Sequence, residues 1–142
     1  MDLKIKYDNG QMTIHMDAFF PTSQVRLKKL LKVIDLDFSH RDEHINTLND
    51  YFNEKVETLE ARRVASGKKY LDYKQKASDQ ETMVKDKKKP NGVKLSKEEL
   101  EKAKEDLKHY KAVSSDSLSD YNRCERQKNQ FKEHLKILEQ RK

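Results

Sequence analysis

Apolar and small residues, with Lys128 as the one charged member, step by three and four through the last third of this chain, at Leu100, Ala103, Leu107, Tyr110, Ser114, Ser117, Tyr121, Cys124, Lys128, Phe131, Leu135 and Leu138. That alternation is the seam of a heptad helix, which crosses its partner in a left-handed coiled coil. An antiparallel partner pairs residues whose numbers share one constant sum. Ile45 with Leu138, Leu48 with Leu135, Phe52 with Phe131, and Leu59 with Cys124 all do so. The midpoint of that sum falls between Asn91 and Gly92, inside Lys88-Lys89-Pro90-Asn91-Gly92-Val93, which reads as a turn by both its proline and its Asn-Gly pair. Residues 39–142 are therefore expected to fold back on themselves as a long antiparallel helical hairpin with its bend at 88–95.

Local signals agree with this. Ser39 is a plausible cap for the first long helix, with Asp42 and Glu43 in a first turn that favours carboxylates. Ser96-Lys97-Glu98-Glu99 is a capping box that opens the second. The constant sum sets Ser66 opposite Ser117, and Gly67 opposite Asp116 close to Ser114, so small residues are expected to meet mid-hairpin, at a close backbone approach or a local thinning that permits bending.

The N-terminal third is different. Residues 3–16 alternate apolar and polar about Asn9-Gly10, the pattern of a β-hairpin. A turn centred on that dipeptide pairs Leu3 with Met16, Ile5 with Ile14, and Tyr7 with Met12, and leaves Lys4, Lys6, Thr13 and His15 on the solvated face. A lone two-stranded ribbon is marginal, so its apolar face needs cover. Leu27, Leu30, Leu31 and Ile34 recur at helical spacing within 22–34, with Arg26, Lys28, Lys29 and Lys32 pointing away and Thr22 or Ser23 as the cap. Tyr51 and Ile137, off the seam at the open end, supply the docking surface. The expected fold is mainly α: one domain over 1–142, with a β-hairpin and connector in 1–20, a short helix in 21–38 and the helical hairpin in 39–142. Tyr73, Met83 and Val113, nearer the bend, are candidates for a dimer or partner surface.

Charge narrows the function. Hydrophobic residues are 34% of the chain against 39% charged, and the net charge is +6. A positive balance favours acidic partners such as nucleic acid. Lysines crowd at the bend (Lys85, Lys87, Lys88, Lys89, Lys94 and Lys97, with Asp86 alone opposing them), and a second basic group combines Arg62, Arg63, Lys68 and Lys69. Such clusters attract phosphates with strong salt dependence and little sequence discrimination, although solvated lysines also occur on any coiled coil.

Catalytic signatures are weak. His40-Arg41-Asp42-Glu43-His44 matches H-x-x-E-H, a zinc-protease pattern, yet that chemistry needs a third ligand, a substrate cleft and a larger scaffold, and the residues read instead as a polar first helical turn. Cys124 falls on the seam as a small hydrophobe, and His109 and His134 read as flanking surface residues. With three glycines and no phosphate loop or nucleophile elbow, no enzyme, cofactor or metal is expected. A single cysteine and the lack of any stretch of about 20 apolar residues make the cytoplasm the default location.

In general appearance the chain, with IKYDNGQMTIHM, then PTSQVRLKKLLKVI, then a helical hairpin, resembles small accessory proteins of phages and conjugative elements of Gram-positive bacteria, among them anti-CRISPR inhibitors. That resemblance implies a stoichiometric inhibitor of a mobile genetic element docking on a nucleoprotein nuclease such as Cas9. The alternatives are a structural coiled-coil adaptor that forms a homodimer, and a DNA-binding accessory of conjugation or replication.

Overall fold

The structure, a computed structural model, describes residues 1–141. It is mainly helical. Strands β1 (Asp2–Tyr7) and β2 (Gly10–His15) form an antiparallel ribbon, followed by a one-turn helix α1 (Met16–Phe19) and helix α2 (Gln24–Leu36). A 3₁₀ turn at Phe38–His40 leads into α3 (Arg41–Asp86), and α4 (Lys97–Gln140) returns antiparallel to it as the long helical hairpin.

The capping chemistry is as the residue types demand. Ser23 caps α2, its Oγ accepting from the Arg26 N–H at 3.2 Å. At the start of α4 the Glu99 N–H donates to Ser96 Oγ at 3.1 Å, while the Ser96 N–H donates to Glu99 Oε1 at 3.2 Å. Ser39, by contrast, lies inside the 3₁₀ turn and does not cap α3, because Asp37 organises that corner.

Packing density separates two units, Met1–Glu60 with Glu125–Lys142, and Ala61–Cys124. The first holds the large apolar core. Leu3 and Ile5 of β1 and Met16 and Phe20 beyond β2 pack with Leu27, Leu30, Leu31 and Ile34 of α2, closing over Ile45, Leu48, Phe52, Phe131 and Leu138. Phe52 and Phe131 sit with ring centroids 5.7 Å apart, in the register the constant sum demands. Tyr51 docks as expected, buried with its hydroxyl donating to Asp17 at 2.7 Å.

The ribbon departs from its expected register. Leu3 pairs with Ile14 and Ile5 with Met12, because Tyr7 and Gly10 close the turn around Asp8 and Asn9, and Asp8 takes the positive φ of 50°. The slip is two residues rather than one. Every side chain therefore keeps its face, and the apolar side still meets α2.

His134 corrects another expectation. It is 1% exposed, its ring 5.3 Å from Phe52 and 5.8 Å from Phe20. The residue flanks the seam of a two-helix hairpin, but Phe20, arriving from the N-terminal segment, covers it.

In the second unit the seam is made of small residues. Ala77, Ala103, Ser114, Ser117 and Cys124 are buried, Tyr73 packs on Tyr110 at 6.0 Å, and Gln80 donates to the Ala103 carbonyl at 3.0 Å. Gly67 does not face small residues. A Cβ on it would meet the Tyr121 ring at 3.2 Å, so the glycine makes room for that aromatic side chain. Tyr73, Met83 and Val113 are half-buried, and the exposed apolar residues on this unit's helices are instead Val64, Leu71 and Leu118.

Candidate anion-binding interface

Acidic and basic side chains are equal in number in the first unit, so the chain's whole net charge of +6 resides in Ala61–Cys124. At the bend this charge is held on a fixed loop. α3 ends at Asp86, and Lys87 turns the chain with φ 56°. The Leu95 N–H then donates to the Lys87 carbonyl at 2.9 Å and the Lys89 N–H to the Val93 carbonyl at 2.7 Å, with a bridge between Lys88 and Lys94. At the apex Asn91 Oδ1 accepts from the Val93 N–H at 3.1 Å, and Gly92 adopts φ +85°, a conformation open to glycine at no steric cost.

Five lysines project from this scaffold. Lys85, Lys87, Lys88, Lys94 and Lys97 are exposed, and none has an ion-pair partner among the described residues. Lys89 differs, since its Nζ binds Glu99 at 2.7 Å and holds that carboxyl below its usual range. A hollow of about 510 Å³ beside the loop brings Lys88 and Lys89 together with Asp79 and Asp86, so its charge is mixed. The free lysines outside it carry the positive field.

The second predicted basic group is largely consumed. The Arg62 guanidinium donates through Nε and NH2 to Asp120 at 3.0 and 2.6 Å, and Ser66 Oγ and Arg123 also donate to that carboxylate. With Arg62 as the main cause, Asp120 is held well below the usual carboxylate range. Arg63 donates to the Tyr121 hydroxyl at 2.7 Å and lies over its ring. Only Lys68 and Lys69 of that group stay exposed without an ion pair among the described residues. Beyond them on α3, Lys74 lies over the Tyr70 ring and Lys76 over the Tyr73 ring, contacts that spacing alone does not single out.

The first unit adds a second run that the sequence marks only as the solvated side of a helix. Arg26, Lys28, Lys29 and Lys32 on α2 are all exposed, and no carboxylate falls between Asp17 and Asp35. The absence of acids over that stretch was the available signal.

The H-x-x-E-H histidines are engaged elsewhere. His40 Nδ1 and His44 Nε2 each donate to the buried Asp37 carboxylate at 2.9 Å, and the Lys6 N–H donates to it at 3.1 Å. These three donors, His44 first, hold Asp37 far below the ordinary carboxylate range. The two rings serve to fasten β1 to the start of α3. Cys124 is buried, and desolvation pushes its thiol up, away from the thiolate that nucleophilic chemistry needs. No helix among the described residues is long and apolar enough to cross a membrane. No family model, curated protein or solved structure matches the chain.

Proposed function

We propose that this chain is a non-enzymatic binding protein whose hairpin tip docks on the phosphate backbone of a nucleic acid, free or within a nucleoprotein complex. The observation that carries the reading is the set of five unpaired, exposed lysines, Lys87, Lys88 and Lys94 on a loop whose own backbone bonds hold it in shape and Lys85 and Lys97 at the helix ends beside it. Neutralising several phosphates with a fixed cluster makes affinity fall steeply with salt and depend little on sequence. The resemblance to accessory proteins of mobile elements narrows the nucleoprotein to a host nuclease such as Cas9, and the chain's role to its inhibitor.

The experiment combines Lys87→Glu, Lys88→Glu and Lys94→Glu, all exposed positions, and measures binding to random duplex DNA and to a guide-loaded nuclease. Loss of salt-dependent affinity with unchanged helicity supports the tip. Affinity equal to wild type removes it. Duplex binding alone favours a DNA-binding accessory of conjugation or replication, whereas nuclease binding with blocked cleavage favours the inhibitor.

A second reading, a structural adaptor, draws on Val64 and Leu71, which lie seven residues apart on α3 and are 43% and 64% exposed. Two turns of helix place them on one face, so they form the start of an apolar stripe. Concentration-dependent sedimentation lost in Leu71→Glu, with no nucleic-acid or nuclease binding, favours that reading.

A further inference from the structure

The two edges of the β-ribbon are treated differently. With Tyr7 and Gly10 closing the turn, Met12 and Ile14 exchange hydrogen bonds with β1, and Gln11 and Thr13 turn their N–H and C=O groups outward. On β1 the equivalent outward amide, that of Lys6, is capped by the Asp37 carboxylate at 3.1 Å. On β2 no described residue bonds the outward groups of Gln11 or Thr13. One outward amide of β1 carries a dedicated side-chain cap and those of β2 carry none, so β2 presents the freer template for another strand.

Beside the open edge runs a groove of about 190 Å³. Its floor is apolar and half-exposed, made by Met12, Ile14, Phe19 and Val33, and its rim carries Arg26 and Lys29. Neither cation has an ion-pair partner among the described residues, and Arg26 rests over the Phe19 ring at 4.9 Å.

From this geometry we propose that β2 accepts, as a third strand, an extended segment of a partner protein whose groove-facing positions, every second residue, are aliphatic and acidic in turn. Main-chain bonds to Gln11 and Thr13 give the affinity. On the segment's groove-facing side, aliphatic side chains lie on the floor and the carboxylates two residues away from them reach Arg26 and Lys29. Charge selects this occupant over a second copy of the chain, since β2 reads GQMTIH with no carboxylate, and self-pairing sets the basic rims against each other. The apolar floor and the amide edge select it over a phosphate backbone, for which neither has a use.

The test titrates the full chain with a synthetic peptide repeating valine-threonine-glutamate-threonine, which sets valine and glutamate on one face, following fluorescence anisotropy and the backbone amide spectrum. The same peptide with lysine in place of glutamate and a short duplex DNA serve as comparison probes. Saturable binding of the acidic peptide is expected, with the largest shifts at the Gln11 and Thr13 amides. Thr13→Pro removes an outward N–H without touching the ladder, so it should weaken binding about tenfold while keeping the melting midpoint. Arg26→Glu with Lys29→Glu should exchange preference from the acidic to the basic peptide, and this pair keeps the test intact if the proline variant misfolds. No binding of the acidic peptide, shifts centred elsewhere, or indifference to both variants overturns the proposal. Equal shifts with duplex DNA overturn it in favour of a nucleic-acid surface, and a dimer abolished by Thr13→Pro overturns it in favour of self-pairing.

Discussion

Replacing His134 by leucine should make the protein more stable, and more so in acid. The imidazole is 1% exposed among Phe20, Phe52 and Phe131, and neither ring nitrogen has a hydrogen-bond partner of acceptable geometry. An unpaired polar group of this kind costs about 1 to 3 kcal/mol. Leucine has similar volume and no polar atom, so after imperfect repacking the net gain near neutral pH is about 1 to 2 kcal/mol. Burial also lowers the pKa of His134 from the ordinary histidine value of 6.5, against a smaller opposing pull from the Thr22 backbone. The unfolded chain therefore takes up a proton that the folded chain refuses. The contribution of a neutral His134 is fully present above pH 6.5 and is lost as the pH falls toward the depressed folded value. The advantage of His134→Leu should widen through that window by up to about 1.4 kcal/mol per pH unit. Urea denaturation of both proteins, near neutrality and about one to two units lower, reads this directly because the difference cancels the other histidines. A destabilised variant, or a difference independent of pH, would refute the reasoning.

Other perturbations read other parts of the structure. Leu48→Ala, at a fully buried position, should cost about 2 to 5 kcal/mol in the same denaturation assay, and a midpoint equal to wild type contradicts the core. Ser96→Ala breaks the reciprocal cap of α4 and should cost about 1 kcal/mol, accompanied by faster amide exchange at Glu99. Asp37→Asn should lower the melting midpoint at neutral pH. Because the native carboxyl is held low, its contribution is present above the ordinary aspartate value of 3.8 and lost as acid is added below it, so the two proteins should converge there.

The parts legible in the sequence share one property, which is that their cause is local or periodic. The seam of α4, the capping box at Ser96, the cap at Ser23 and the bend at Asn91-Gly92 each follow from residues a few positions apart. The corrections come from longer reach. Asp37 gathers Lys6, His40 and His44 from separations of 31, 3 and 7 residues, a constellation with no spacing rule behind it. His134 is buried by Phe20, and Gly67 accommodates Tyr121 rather than another small residue. The ribbon's slip shows why the face of a strand is easier to read than its partner: period two fixes which side is apolar, while the turn alone chooses the pairing.

The basic clusters were legible as composition but not as availability. Lysine density marks the tip, yet only the folded chain separates Lys89, paired with Glu99, from its unpaired neighbours. The same distinction removes Arg62 from the second group, since its partner Asp120 lies 58 residues away in sequence.

The clustered tip exists only if α3 and α4 fold back in one particular register, which is what gathers the lysines at a single bend. Cysteine cross-linking tests it directly. In a Cys124→Ser background, Tyr73→Cys with Tyr110→Cys should close to an intramolecular disulfide on mild oxidation, since these two side chains pack against each other at one level of the seam. Tyr73→Cys paired with the native Cys124 should stay reduced, and preferential linkage of Tyr73→Cys to Cys124 would contradict the register and the clustered tip with it.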